Sequence, residues 1–121
     1  MPAVFYPLTQ RACTTTLQDI GPQGQAVATP AGKVRTASVR VAYVGAGPAD
    51  RYFDLYVVDT SVSANANDGY RVRNYPIEYL SKSGAPDMEW RVPLTAGQKL
   101  QHRGSTAGDL AISVAWVEDD A

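Results

Sequence analysis

The sequence holds few of the residues that carry chemistry. Among 121 residues there is one histidine, His102, and one cysteine, Cys13. A lone cysteine excludes an intramolecular disulfide, and a lone imidazole excludes a metal site built on two histidines. Charge is sparse and balanced, with 11 basic and 12 acidic side chains giving a net charge of −1. That removes the electrostatic case for a nucleic acid or an anionic membrane as partner. No run approaches the roughly 18 apolar residues a spanning helix requires. The opening Met1-Pro2-Ala3-Val4-Phe5-Tyr6-Pro7 lacks the basic and apolar regions of a signal peptide. Helical spacing of apolar residues is also missing.

What is present is alternation. Ala37, Val39, Val41 and Tyr43 fall on one face of a period-two segment, with Thr36, Ser38, Arg40 and Ala42 on the other. Phe53, Leu55 and Val57 repeat the pattern, as do Met88, Trp90 and Val92, and then Leu110, Ile112, Val114 and Trp116. Weaker strand signals cover Cys13 to Gln18, Tyr75 to Leu80 and Lys99 to His102. Turn chemistry punctuates them at Gly21-Pro22, Gly45-Ala46-Gly47-Pro48, Asp68-Gly69, Ser83-Gly84-Ala85-Pro86 and Gly104. About seven or eight short strands at this spacing predict an all-β fold, an antiparallel β-sandwich of jelly-roll type. A hydrophobic fraction of 45% suits one globular domain with its own core.

Three segments are expected, with boundaries at 11 and 118. Residues 1–11 carry Pro2 and Pro7, which cannot donate to a ladder, so they read as an extended N-terminal arm. That arm is too apolar to wave free in water, since it holds Val4, Phe5, Tyr6 and Leu8. Residues 12–118 form the sandwich, and 119–121 end an acidic C-terminal tail that continues Glu118. The stretch from Asp59 to Gly69 lacks apolar periodicity and reads as an exposed loop. Thr29-Pro30-Ala31-Gly32-Lys33 and Thr95-Ala96-Gly97-Gln98-Lys99 repeat one device, a glycine turn leading into a strand.

Each candidate for catalysis or ligand binding has a plainer structural explanation. His102 sits at an expected strand end, half-exposed or hydrogen-bonded, with no triad implied by its neighbours. Asp50, Asp54, Asp59 and Glu89 read as solvated strand faces. Ser63 to Gly69 lacks the ligand spacing of a calcium loop, and Gly45-Ala46-Gly47 precedes a strand instead of a helix, so it cradles no phosphate. No catalytic residue, metal or cofactor is implied, and Cys13 reads as a half-buried strand residue. The aromatics are more telling: Tyr70, Arg71, Arg73 and Tyr75 form a Tyr/Arg stretch of the composition enriched at protein interfaces. With Val4, Phe5, Tyr6 and Leu8 they are the expected subunit-interface residues.

The order of these features resembles small virion accessory proteins of tailed bacteriophages. In those a "PAGK" turn opens a long strand, here Pro30-Ala31-Gly32-Lys33 and Val39-Arg40-Val41-Ala42-Tyr43-Val44-Gly45. An "f-l-y" strand follows, Phe53-Asp54-Leu55-Tyr56, then a "Y-l" pair at Tyr79-Leu80 and an "l-aG--l" turn at Leu94-Thr95-Ala96-Gly97-Gln98-Lys99-Leu100. An alternating final strand from Leu110 to Val114 closes the pattern. The chain departs from it at Tyr43-Val44, where asparagine is usual, and in a longer insertion between Val58 and Tyr79. The resemblance implies a virion subunit made in the host cytoplasm, binding the major capsid protein or other virion subunits. It implies head decoration or cement, or a neck, collar or tail accessory, assembled as a homo-oligomer such as a trimer or ring. A carbohydrate-binding module, with Tyr70, Tyr75, Trp90 or Trp116 stacking on sugars, is the alternative from another class.

Overall fold

The computed structural model describes residues 3–45, 49–59, 70–77 and 88–121. Eight strands are formed among the described residues: β1 (Val4–Ala12), β2 (Gln18–Ile20), β3 (Lys33–Tyr43), β4 (Arg51–Asp59), β5 (Tyr70–Ile77), β6 (Met88–Leu94), β7 (Gln98–Gly104) and β8 (Leu110–Asp120). They make two four-stranded sheets, ordered β1-β8-β3-β6 and β2-β7-β4-β5, with every pairing antiparallel. First pairs with last, second with seventh, fourth with fifth, and third sits beside sixth and eighth. This nested winding is that of a jelly roll.

The core follows from the alternation. Ala37, Val39, Val41 and Tyr43 of β3 face Phe53, Leu55 and Val57 of β4 across the sandwich, joined by Ile112, Val114 and Trp116 of β8. All are buried, as a period of two requires on β3 and β8; on β4 the expected alternation fails, since Asp54, Tyr56 and Val58 of its other face are buried too. Trp90 of β6 closes one open side of the sandwich. It stacks on Phe53 at 5.6 Å between ring centroids and meets Tyr75 edge-on at 5.2 Å. The opposite side is closed by β1, where the Trp116 indole donates to Thr9 Oγ1 at 3.2 Å.

The two glycine turns lie against each other. Gly32 and Gly97 both hold positive φ, 78° and 84°, the region in which glycine carries no Cβ penalty. Thr29 N–H donates to the Gln98 carbonyl and Gly97 N–H to the Thr29 carbonyl, each at 2.9 Å. The Thr29 hydroxyl adds a third bond to Gln98 O at 3.0 Å. One turn feeds β3 and the other β7, so this clasp ties the sheets together at one end of the sandwich.

Several placements differ from the sequence expectation. Residues 4–12 are extended but ladder onto β8 along their length, with a register shift between Tyr6 and Thr9 that accommodates Pro7. Cys13 to Leu17 are not a strand; the chain crosses between sheets there, and β2 begins only at Gln18. Cys13 is fully buried at that crossing, its N–H bonded to Leu110 O and its carbonyl accepting from Gly108. The final strand runs through Glu118 to Asp120, because Lys33 and Arg35 stand opposite on β3. Strand β5 starts at Tyr70 and not Tyr75, and Val72 and Ile77 on it are buried. Asp54 is not solvated: Arg103, its cross-strand partner on β7, donates to it at 2.7 Å and covers the Tyr56 ring. The loop from 60 to 69, including the Ser63–Gly69 stretch, lies outside the described residues.

Candidate interaction surface

Alternation that fills the core also decides what the first sheet shows to solvent. Outward on β3 stand Ser38, Arg40 and Ala42, and outward on β8 stand Ala111, Ser113 and Ala115. All but Arg40 are short, so the part of the sheet floored by Ser38, Ala42, Ala111, Ser113 and Ala115 lies below its margins. The result is a groove of about 890 Å³, walled by Leu8 and Val44 and by the Arg40–Glu89 ion pair at 2.8 Å. A sheet face with so few long polar side chains is poorly matched to water and well matched to another protein surface.

Three of the large exposed apolar side chains among the described residues lie on one edge of this sheet; Val44 and Tyr52 stand elsewhere. Val4 is 47% exposed, Phe5 77% and Leu8 52%. All three lie on β1, the outermost strand. Exposed Val27 stands with Leu8 at a second groove of about 430 Å³, between β1 and residues 21–27. The second half of β1 is covered, since Thr9 Oγ1 donates to Gly21 O and Arg11 to Asp19 O. Its first half carries the apolar residues, and among the described residues no strand pairs with its outer edge. The other edge strands carry the usual protections against pairing: β2 has only three residues, β5 contains Pro76 and β6 contains Pro93.

No protein-family model and no curated protein sequence matches the chain. Among solved structures, the chain is similar to two crystal structures of a pentameric capsid protein isolated from metagenomic phage sequences, one of them solved by iodide SAD phasing. Identity is 15% and the TM-score 0.37 in both. The alignment covers 93% of this chain and 60% or 61% of the other, so this chain spans about three fifths of the length of those proteins.

The expected interface residues separate into groups. Val4, Phe5 and Leu8 are all exposed on β1, with Phe5 on the outer face of the sheet, Leu8 lining the groove and Val4 on the face it shares with Tyr6. Tyr6 is half-buried against the core and donates to Glu118 Oε2 at 3.1 Å. Tyr75 packs against Trp90 beside the core. The side chains of Tyr70, Arg71 and Arg73 lie outside the described residues. Sequence reading passed over Ser38, Ala42, Ala111, Ser113 and Ala115; their signal was a strand face alternating with the core and made almost wholly of Ala and Ser.

The groups considered for chemistry are occupied elsewhere. His102 is fully buried inside β7 with neither ring nitrogen hydrogen-bonded to protein, and not half-exposed at a strand end. Burial, helped by the Arg11 charge, lowers its pKa to about 4. Burial pushes the Cys13 thiol up to about 12, the opposite of an activated nucleophile. Glu118 is bound by Arg35 at 2.9 Å, and Asp109 by Arg51 at 2.8 Å. Asp19 is held by Lys99 at 3.1 Å. Among the described residues no three His, Cys, Asp or Glu side chains gather to hold a metal. Trp116 is buried and Trp90 is engaged with Phe53 and Tyr75, so neither presents a face for a sugar ring.

Proposed function

We propose that this chain is a structural subunit of a tailed-bacteriophage virion, acting by burying its surface against neighbouring subunits, and that its place is on the capsid exterior as a head decoration or cement protein. The observation that carries the reading is the concentration of Val4, Phe5 and Leu8 on the open half of edge strand β1, beside a groove floored by Ala and Ser. Such a surface is stable in water only at a cost that a partner removes. The turn-and-strand order that resembles phage accessory proteins supports the virion assignment, and the jelly-roll winding is one of the architectures viral capsids use. A fold alone assigns no role, so the surface and the resemblance bear the weight. The role needs no cofactor.

The test is the protein content of purified particles. Mass spectrometry with quantified copy number is expected to find the chain at a stoichiometry comparable to the major capsid protein. Absence from particles would sink the virion reading. A copy number fit only for a single ring would move the chain to a neck, collar or tail position.

A further inference from the structure

We infer that the outer face of the first sheet is where a second copy of this chain binds, sheet against sheet about a two-fold axis that lies between the copies and runs across the strands. The inference rests on the reading of the chain as an assembly subunit and names one of its partners. A two-fold axis requires the surface to complement itself, each residue i meeting j while j meets i. The register of the sheet allows that to be checked residue by residue.

At one level of the sheet three alanines stand side by side: Ala12 on β1, Ala111 on β8 and Ala42 on β3. Six residues along β8, at the level of Val117, Phe5 projects from β1. An axis crossing the sheet at Val114, midway between these levels, carries Phe5 of each copy over the alanine cluster of the other. The largest exposed side chain then fills the shallowest part of the opposite face, the large-against-small matching that packed layers need.

The same axis position settles the charges. Glu89 lies one level to one side of it, opposite Arg40 and Ser113. Arg91 lies one level to the other side, opposite Ser38 and Ala115. Rotation therefore sets Arg91 of one copy against Glu89 of the other, twice. One axis position places both the aromatic ring and the two ion pairs, although they lie at opposite margins of the sheet. The area is sufficient: four strands of about nine residues offer roughly 600 Å² per copy from strand spacing and rise, and two such faces clear the roughly 1,000 Å² expected of a specific interface.

The experiment is sedimentation velocity and light scattering on the purified chain, with three variants. The wild type is expected at twice 13.0 kDa. Phe5→Asp and Arg91→Glu alter exposed side chains and are each expected to shift the mass to a single chain, with the circular dichroism unchanged. Phe5→Cys combined with Ala12→Cys is expected to give interchain cross-links with a short thiol-reactive bis-maleimide, whose span matches the roughly 10 Å between stacked sheets. Within one chain those positions are about 20 Å apart along the strands, so only a second copy closes the link. A single-chain mass at every concentration overturns the inference. So does a dimer that survives both charge variants, or one whose cysteine pair fails to cross-link. Incorporation into particles tests the virion reading separately: Phe5→Asp incorporated like wild type would refute this pairing alone, and a dimer absent from particles would refute the virion role alone.

Discussion

Two buried residues on opposite terms with their surroundings show how single side chains set the stability of this fold. His102 lies within the sandwich with both ring nitrogens unpartnered in the protein, and burial holds its pKa near 4 against an ordinary 6.5. The folded state therefore resists protonation that the unfolded chain accepts. Stability is full above pH 6.5 and falls as the pH drops towards 4, by about 3 kcal/mol at roughly 1.4 kcal/mol per pKa unit. Denaturant melts at successive pH values should show that slope, and His102→Leu should flatten it without loss of stability at pH 7, since no polar atom would then stay unsatisfied. Arg35 is the contrasting case. Its guanidinium is 1% exposed, bonds Glu118 Oε1 and reaches the Ala26 and Val27 carbonyls. Arg35→Ala leaves Glu118 buried without its counter-charge and should cost about 3–5 kcal/mol, measured as a shift in the denaturant midpoint.

At the scale of elements, the clasp between the two glycine turns gives a prediction with a sign and a coupling. Gly32→Ala and Gly97→Ala each force a Cβ into the left-handed region and should cost about 1–2 kcal/mol. Because Thr29 and Gln98 join the turns by direct hydrogen bonds, the double variant should lose less than the sum of the singles. A double-mutant cycle on melting temperature reads this; strict additivity would mean that the turns act separately. The turns are also where the sequence was most legible. Both glycines, and the alternation of β3, β6 and β8, could be placed because local conformation and burial obeyed the same period, whereas β4 is buried on both faces from Phe53 to Val58. Strand β1 was harder, because Pro7 argues against a ladder and only the register shift after Tyr6 shows how the ladder survives it. Asp54 and Glu118 misled in the same way: a carboxylate reads as solvent-facing until a distant arginine, invisible in the local sequence, is brought opposite. The proposed interaction surface was half visible. Val4, Phe5 and Leu8 announced themselves as apolar residues with no core position to fill. The Ala and Ser floor did not, since short side chains satisfy a buried face and an open one equally.

The whole molecule is arranged so that the ends of the chain depend on its middle. Strands β4 and β5 are neighbours in sequence and in space, whereas β1 pairs β8 across more than a hundred residues, Val4 standing opposite Glu118. Closing a long loop costs more entropy than closing a short one, and pairings between distant segments slow the search for the native state. The nested winding therefore sets an order in time. Pulse-labelled hydrogen exchange during refolding should find amides of β4 and β7 protected before those of β1. Simultaneous protection would count against it. The strand expected to arrive last is also the one that carries Phe5 and Leu8, so the surface proposed for assembly would be finished only after the rest has set. On the proposed pairing, a chain made this way would become sticky late, once it has a shape for a second copy to recognise.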